Sequence, residues 1–289
     1  MPSTGARTLD AVPDATVRAP RPEHRSGPGA RLVPAVAGAG SVLLRRGAAV
    51  VLFLAVWELA PRLGAVDRVF LPPFSEVVTA WWRLVVDGEL TEHLGASLLR
   101  SVSGLTLAVL IAIPLGLLIG WYRPVADVLG PLLELFRNTS ALALLPVFVL
   151  LLGLGETSKI ALVLFACTWP ILLNTISAVR GVDPLLIKSA RSFGLGSPAL
   201  FRKVVLPSSV PSLFTGVRLA AAYSILVLIA AELTGAKAGL GYLITASQYN
   251  FQIPRMYAGI LTISLLGLAL NQLLVTAEQR LTRWRTPPA

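Results

Sequence analysis

Four stretches without a charged residue decide what this chain can fold into: residues 101–122, 138–155, 160–179 and 256–277, of 22, 18, 20 and 22 residues. About 20 apolar residues in a row cross a bilayer as a helix, and backbone groups in hydrocarbon must pair within their own segment. Runs of this length point away from sheets and loop-rich folds. Two weaker runs complete the set. Residues 47–64 are interrupted by Glu58 near the far end, and 211–233 carry Arg218 near one end and Glu232 near the other. The expected fold is therefore all-α, a polytopic membrane protein with about six transmembrane helices. Composition agrees, since 14% of residues are charged where a soluble domain has about 25%.

The net charge of +10 raises the possibility of nucleic acid, but the basic residues stand at the tails and between apolar runs. They read as topology determinants instead, and no nucleic-acid partner is expected. Arg7, Arg18, Arg21, Arg25, Arg31, Arg45 and Arg46 precede the first span and hold the N-terminus in the cytoplasm. Six spans then place residues 183–207, with Lys188, Arg191, Arg202 and Lys203, on the cytoplasmic side. Arg280, Arg283 and Arg285 fall there as well, and the turn at 156–159 falls outside. Residues 1–43 are expected as a disordered basic cytoplasmic tail, 44–284 as the membrane domain, and 285–289 as a cytoplasmic tail end. Within the domain, Pro73 and Ser75 open an amphipathic stretch carrying Trp81 and Trp82, suited to an interface. Residues 125–137 should form a separate shorter helix before a break at Asn138-Thr139-Ser140, and 138–155 a hairpin with 160–179.

The island at 183–207 carries its own punctuation. Asp183 can cap a helix that starts at Pro184, and Gly194 can close it in the left-handed region. Ser197 and Pro198 repeat the start signal, and Pro207 is the expected stop, giving a helix-turn-helix. Leu186, Ala190 and Phe193 form a stripe that should pack on the chain's own spans, leaving Lys188, Arg191 and Ser192 for a cytoplasmic partner. A plain amphipathic connector on the membrane surface has the same geometry.

Ala190, Gly194, Val204, Leu206 and Pro207 stand at the spacing of the loop that marks permease subunits of ABC importers: Glu-Ala-Ala, three residues, Gly, nine residues, Ile, one residue, Leu-Pro. Lys188 occupies the place of the Glu and Ser189 that of the first Ala. Further stretches resemble the nitrate, sulfonate and taurine class of these permeases: Trp57-Glu58-Leu59-Ala60, residues 71–77, 153–159 with 170–175, and Ala231-Glu232 with 239–244. The resemblance implies that two permease copies form a translocation pathway in the cell membrane and that an external binding protein delivers the solute. It also implies that each loop docks on a cytoplasmic ATPase dimer through Lys188, Ser189, Ala190, Arg191, Gly194, Leu206 and Pro207. A small anion such as an alkanesulfonate, taurine or nitrate is the expected cargo. A vitamin precursor or other heterocycle is the alternative, and a secondary transporter the more distant one.

Thr168, Asn174, Thr175, Ser224, Asn271 and Gln272 break the apolar pattern inside spans, and such groups line a pathway or bond between helices. Glu232 suits an interfacial anchor or the partner of a basic residue. Nothing suggests an enzyme or a resident cofactor. His24 and His93 are far apart, and Cys167 lies alone in an apolar run. No Gly-x-x-x-x-Gly-Lys-Ser/Thr run can cradle phosphates, so ATP must be bound by a partner subunit.

Overall fold

The computed structural model describes residues 33–281, with side chains from 47 to 280. The expected tail of residues 1–43 lies outside the described residues as far as residue 32, as does the end from 282. The described helices are α1 (Val33–Arg62), α2 (Phe74–Val86), α3 (Glu89–Trp121), α4 (Arg123–Arg137), α5 (Leu145–Leu152), α6 (Glu156–Arg180), α7 (Pro184–Ser192), α8 (Ser197–Leu200), α9 (Leu206–Leu233), α10 (Leu240–Tyr249) and α11 (Ile253–Leu281). Residues up to Phe53 form one unit and those from Leu54 a second, which holds every feature discussed below.

Among the described residues, four helices are long and apolar enough to cross a membrane: α3, α6, the continuous helix from Ser197 to Leu233, and α11. A fifth candidate is α4 with the arm that ends in α5 (Leu142–Leu152), bent by 80° across residues 138–141. The charge-free run 138–155 is thus no unbroken span. Its helix is eight residues long and reaches the length of a span only together with α4, which carries Pro131, Glu134 and Arg137.

Spacing by fours builds the centre of the bundle. Gly104, Ala108, Ala112, Gly116 and Gly120 lie along one edge of α3 and meet α6 at Val163, Cys167, Ile171, Thr175 and Val179, again four apart. Where no hydrophobic force distinguishes helix from lipid, small residues bring backbones close and packing supplies the attraction. The approach is tight. A β-carbon on Gly116 would sit 2.6 Å from Thr175 Cβ, and one on Gly120 2.8 Å from Val179 Cβ. On the other side of α6, Gly216 of α9 leaves room for Asn174, and Cys167 Sγ donates to Ala220 O at 3.3 Å.

The sequence stretches around Trp57 and Pro73 meet each other. Trp57 Nε1 donates to Pro72 O (3.1 Å), and Glu58 accepts from the backbone N–H of Ser75 (2.9 Å). The carboxylate therefore satisfies one of the free N–H groups that open α2, a cap supplied from another helix. On the far face of α2, Trp81 Nε1 donates to Thr262 Oγ1 of α11 at 3.1 Å.

Candidate functional site

The helix-turn-helix forms as its punctuation requires. Asp183 accepts from Leu185 N–H at 2.8 Å, and Pro184 occupies the first turn of α7. At the other end Leu195 N–H bonds to Ala190 O and Gly194 N–H to Arg191 O, with Gly194 at φ +79°. These are the two bonds of a Schellman motif, which needs a residue that tolerates positive φ.

Two expectations change here. Pro207 does not end the second helix: residues Phe201–Val205 form a π turn that runs without interruption into α9. Proline lacks an N–H and crowds the carbonyl four residues earlier, and the wider π turn relieves both. The apolar stripe also points elsewhere. Ala190 is buried and Ile187 packs on Val179, Val182 and Val205, but Leu186 is half-exposed and Phe193 is 84% exposed. Residues 187 and 190 share the inward face, so 186 and 193 turn outward with Leu185, Lys188, Ser189 and Arg191. The outward surface is a cationic patch around an exposed aromatic ring, suited to a groove on a protein partner. Leu206 is half-buried beneath it and Pro207 is exposed.

Between α6, α9 and the α4–α5 break lies a cavity of about 560 Å³, bounded among others by Arg137, Asn138, Trp169, Asn174 and Tyr223. A second cavity of about 560 Å³ runs from Asn174 past Ser177 and Ser208 to Asp183 and Leu186. Asn174 belongs to both walls and links the middle of the membrane with the base of the loop. Thr168 donates to Leu164 O at 2.7 Å in its own helix, and Thr175 donates to Ile171 O at 2.7 Å while fully buried. Ser224 pairs with Ser101 at 2.8 Å, a bond between α9 and α3, and Asn271 lies exposed on α11. Of the six polar span residues singled out in the sequence, only Asn174 borders either cavity.

A third feature escaped the sequence. Arg100, 3% exposed, donates through Nη1 to Glu232 (2.6 Å) and to Ala238 O (2.7 Å), and through Nε and Nη2 to Glu156. Ser97 Oγ donates to the Glu232 carboxylate, which also accepts from Gly241 N–H at 2.9 Å, while Ser97 Oγ accepts from Leu240 N–H at 2.8 Å. Glu232 is thereby the partner of a basic residue, one of the two roles expected for it. The ends of α3, α6, α9 and α10 are tied at one buried node. A β-carbon on Gly241 would stand 2.6 Å from Glu232 Cβ, so glycine lets α10 close on the carboxylate. The only sequence signal was a charge at the edge of each of three apolar runs; their pairing spans 132 and 56 positions.

Comparison with known proteins adds the following. The family profile described as "Binding-protein-dependent transport system inner membrane component" matches residues 112–283. The chain is 34% identical over 236 residues to the taurine transport system permease protein TauC of Escherichia coli K12, covering 80% of this chain and 86% of that one. It is 32% identical over 232 residues to a Bacillus subtilis (strain 168) protein named as an aliphatic sulfonates transport permease, SsuC, covering 80% and 84%. In structure it resembles an inward-facing MetNI methionine ABC transporter, with a TM-score of 0.57 at 19% identity over 65% of this chain and 93% of that one.

Proposed function

We infer the function from kinship: this chain belongs to the family of binding-protein-dependent transport system inner membrane components. It is the permease subunit of an ABC importer of the inner membrane, a subunit without enzymatic activity of its own. It works with a separate ATPase and an external binding protein. We propose that its cargo is a small sulfonate, an alkanesulfonate or taurine, in keeping with the two relatives named for such solutes. The observation that carries the mechanism is the outward face of α7, where Lys188, Arg191 and Phe193 project from a helix closed by a left-handed glycine. In this reading ATP is bound by the partner ATPase, whose dimer receives this surface from each of two permease copies. Solute passes along α6 and α9, and Asn174 lies on its way.

Both termini and the α7–α8 loop are cytoplasmic in this proposal, as the distribution of Arg and Lys requires. With Cys167→Ser as background, Ser192→Cys and Thr157→Cys, both at exposed positions, test it directly. A membrane-impermeant maleimide applied to intact cells should label the Thr157 variant alone, and labelling at 192 would reverse the topology. For cargo, the assembled transporter in proteoliposomes, given its binding protein, should accumulate radiolabelled taurine or butanesulfonate when ATP is supplied. Accumulation of a neutral heterocycle and of neither sulfonate would favour the vitamin-precursor alternative.

A further inference from the structure

The cavity beside the α4–α5 break holds a charge in an unusual place. Its walls come from residues 166–174 of α6 and 219–227 of α9, and α6 is 25 residues long. At about 1.5 Å per residue, Ala166 and Asn174 stand about 15 and 27 Å from the outer end of a helix of about 37 Å. That is the middle of the membrane. Arg137 borders this cavity and has no ion pair or hydrogen bond from its guanidinium among the described residues. No carboxylate lines the cavity, and Glu134, one turn earlier, is not in its wall. A cation at such depth is costly unless something compensates it, so intramembrane charges mark paths for solutes or ions.

Three further observations point to the sign and shape of what compensates it. The backbone is irregular from 138 to 141, and non-helical backbone at membrane depth is tolerated where it lines a cavity. Two donors of the wall have no acceptor among the described residues, the Arg137 guanidinium and the buried Trp169 Nε1, while the amide of Asn138 and the hydroxyl of Thr139 are already held by Glu134 O and Leu135 O. The remaining surface is apolar, with Leu173, Leu219, Leu226 and Val227 prominent. A volume of about 560 Å³ is in the range of small-molecule sites.

We propose that this cavity is an anion-selective station of the transport path, in which Arg137 reads the headgroup of an alkanesulfonate and the leucine-rich wall receives its carbon chain. The assignment rests on the permease reading above and deepens it by naming the residue that sets charge preference. A sulfonate offers three acceptor oxygens and no donor, which suits a planar guanidinium fork. Asn174 then hands the solute to the lower cavity, toward the cytoplasm.

The test has two independent arms on the assembled transporter. In a Cys167→Ser background, Leu219→Cys places a thiol in the cavity wall. It is treated with 2-sulfonatoethyl or 2-(trimethylammonium)ethyl methanethiosulfonate, each rate normalised to that of a free thiol. The anionic reagent should react about tenfold faster than the cationic one, and Arg137→Gln should erase or invert that ratio while Arg137→Lys keeps it. Equal normalised rates with Arg137 present, or a ratio unchanged by Arg137→Gln, overturn the proposal. In the second arm, Arg137→Gln should lower butanesulfonate uptake about tenfold with ATP hydrolysis still stimulated by the loaded binding protein. Arg137→Lys should stay within about threefold of the parent. Full uptake in Arg137→Gln also overturns it. If the parent transporter carries no sulfonate although the reagent ratio holds, the cargo assignment fails and the anion station stands. Should Arg137→Gln not assemble, the comparison of the parent with Arg137→Lys in the reagent arm still decides, because a ratio near one in both refutes it.

Discussion

Gly194→Val should insert into the membrane and assemble at near-normal levels while solute-stimulated ATP hydrolysis falls to the unstimulated rate. No neighbouring atom lies within 4 Å of where the new β-carbon would be, so the effect is not steric crowding. It is the backbone. At φ +79° a residue with a β-carbon costs about 1 kcal/mol and a β-branched one more, and the cheapest relief is to give up the left-handed turn. That breaks the two bonds from Leu195 and Gly194 that close α7. Phe193 and Arg191 would then swing away from the surface they form with Lys188, whereas the spans, packed through α3, α6 and α9, are not involved. The measurement is ATPase activity in proteoliposomes with saturating binding protein and taurine. Full stimulation would mean that the loop is only a surface connector. Lys188→Ala, which leaves the turn intact, should weaken stimulation by a smaller factor, since an exposed ion pair contributes about 1 kcal/mol or less.

Arg100→Met should produce a large loss of stability. Glu232 has a fully buried side chain, and removing Arg100 takes away the one cation hydrogen-bonded to it among the described residues, with only Lys159 left nearby; breaking comparable buried pairs costs about 3–5 kcal/mol. Ser97 and Gly241 would still donate to it, but neither neutralises it. The expected signature is a fall of several degrees or more in the thermal transition of the detergent-solubilised complex. The double variant Arg100→Met/Glu232→Gln should recover part of that loss, because the stranded charge is then gone. Glu156→Gln should cost little by comparison, as that side chain is 63% exposed and water replaces what it loses. An Arg100→Met variant with the parent's transition would show that the node contributes nothing to the fold.

Much of this architecture is legible in the residues themselves. Local rules suffice for the start of α7 at Asp183-Pro184, its end at Gly194, and the positions of α6 and α11, because capping and apolar length act over a few neighbours or one continuous run. They fail where geometry is decided elsewhere. A charge count cannot separate one span from two short helices meeting at 80°, so 138–155 looked like a crossing. The proline rule predicts a stop at Pro207, and a π turn evades it. Leu186 and Phe193 lie at helical spacing from Ala190, yet the inward direction was set by Ile187 and its contacts with Val205. Thr175 and Ser224 are polar in the middle of spans but bond helix to backbone or helix to helix. Asn174, chemically no different on paper, borders both cavities. The pairing of Arg100 with Glu232 joins residues 132 positions apart, which one sequence cannot reveal.

The evasion at Pro207 reaches beyond local geometry. Since nothing interrupts the helix between Ser197 and Leu233, its 37 residues form a pushrod of about 55 Å. One end carries the turn that follows Gly194, and the other carries Glu232 with its bonds to Arg100 and Gly241. A helix of this kind has little axial slack, so a rotation imposed at Ser197 arrives at Glu232 as the same rotation, apart from whatever the π turn absorbs as a torsion spring. Had the helix stopped at Pro207, movement at the α7–α8 turn would have been lost in a loop before it reached Glu232.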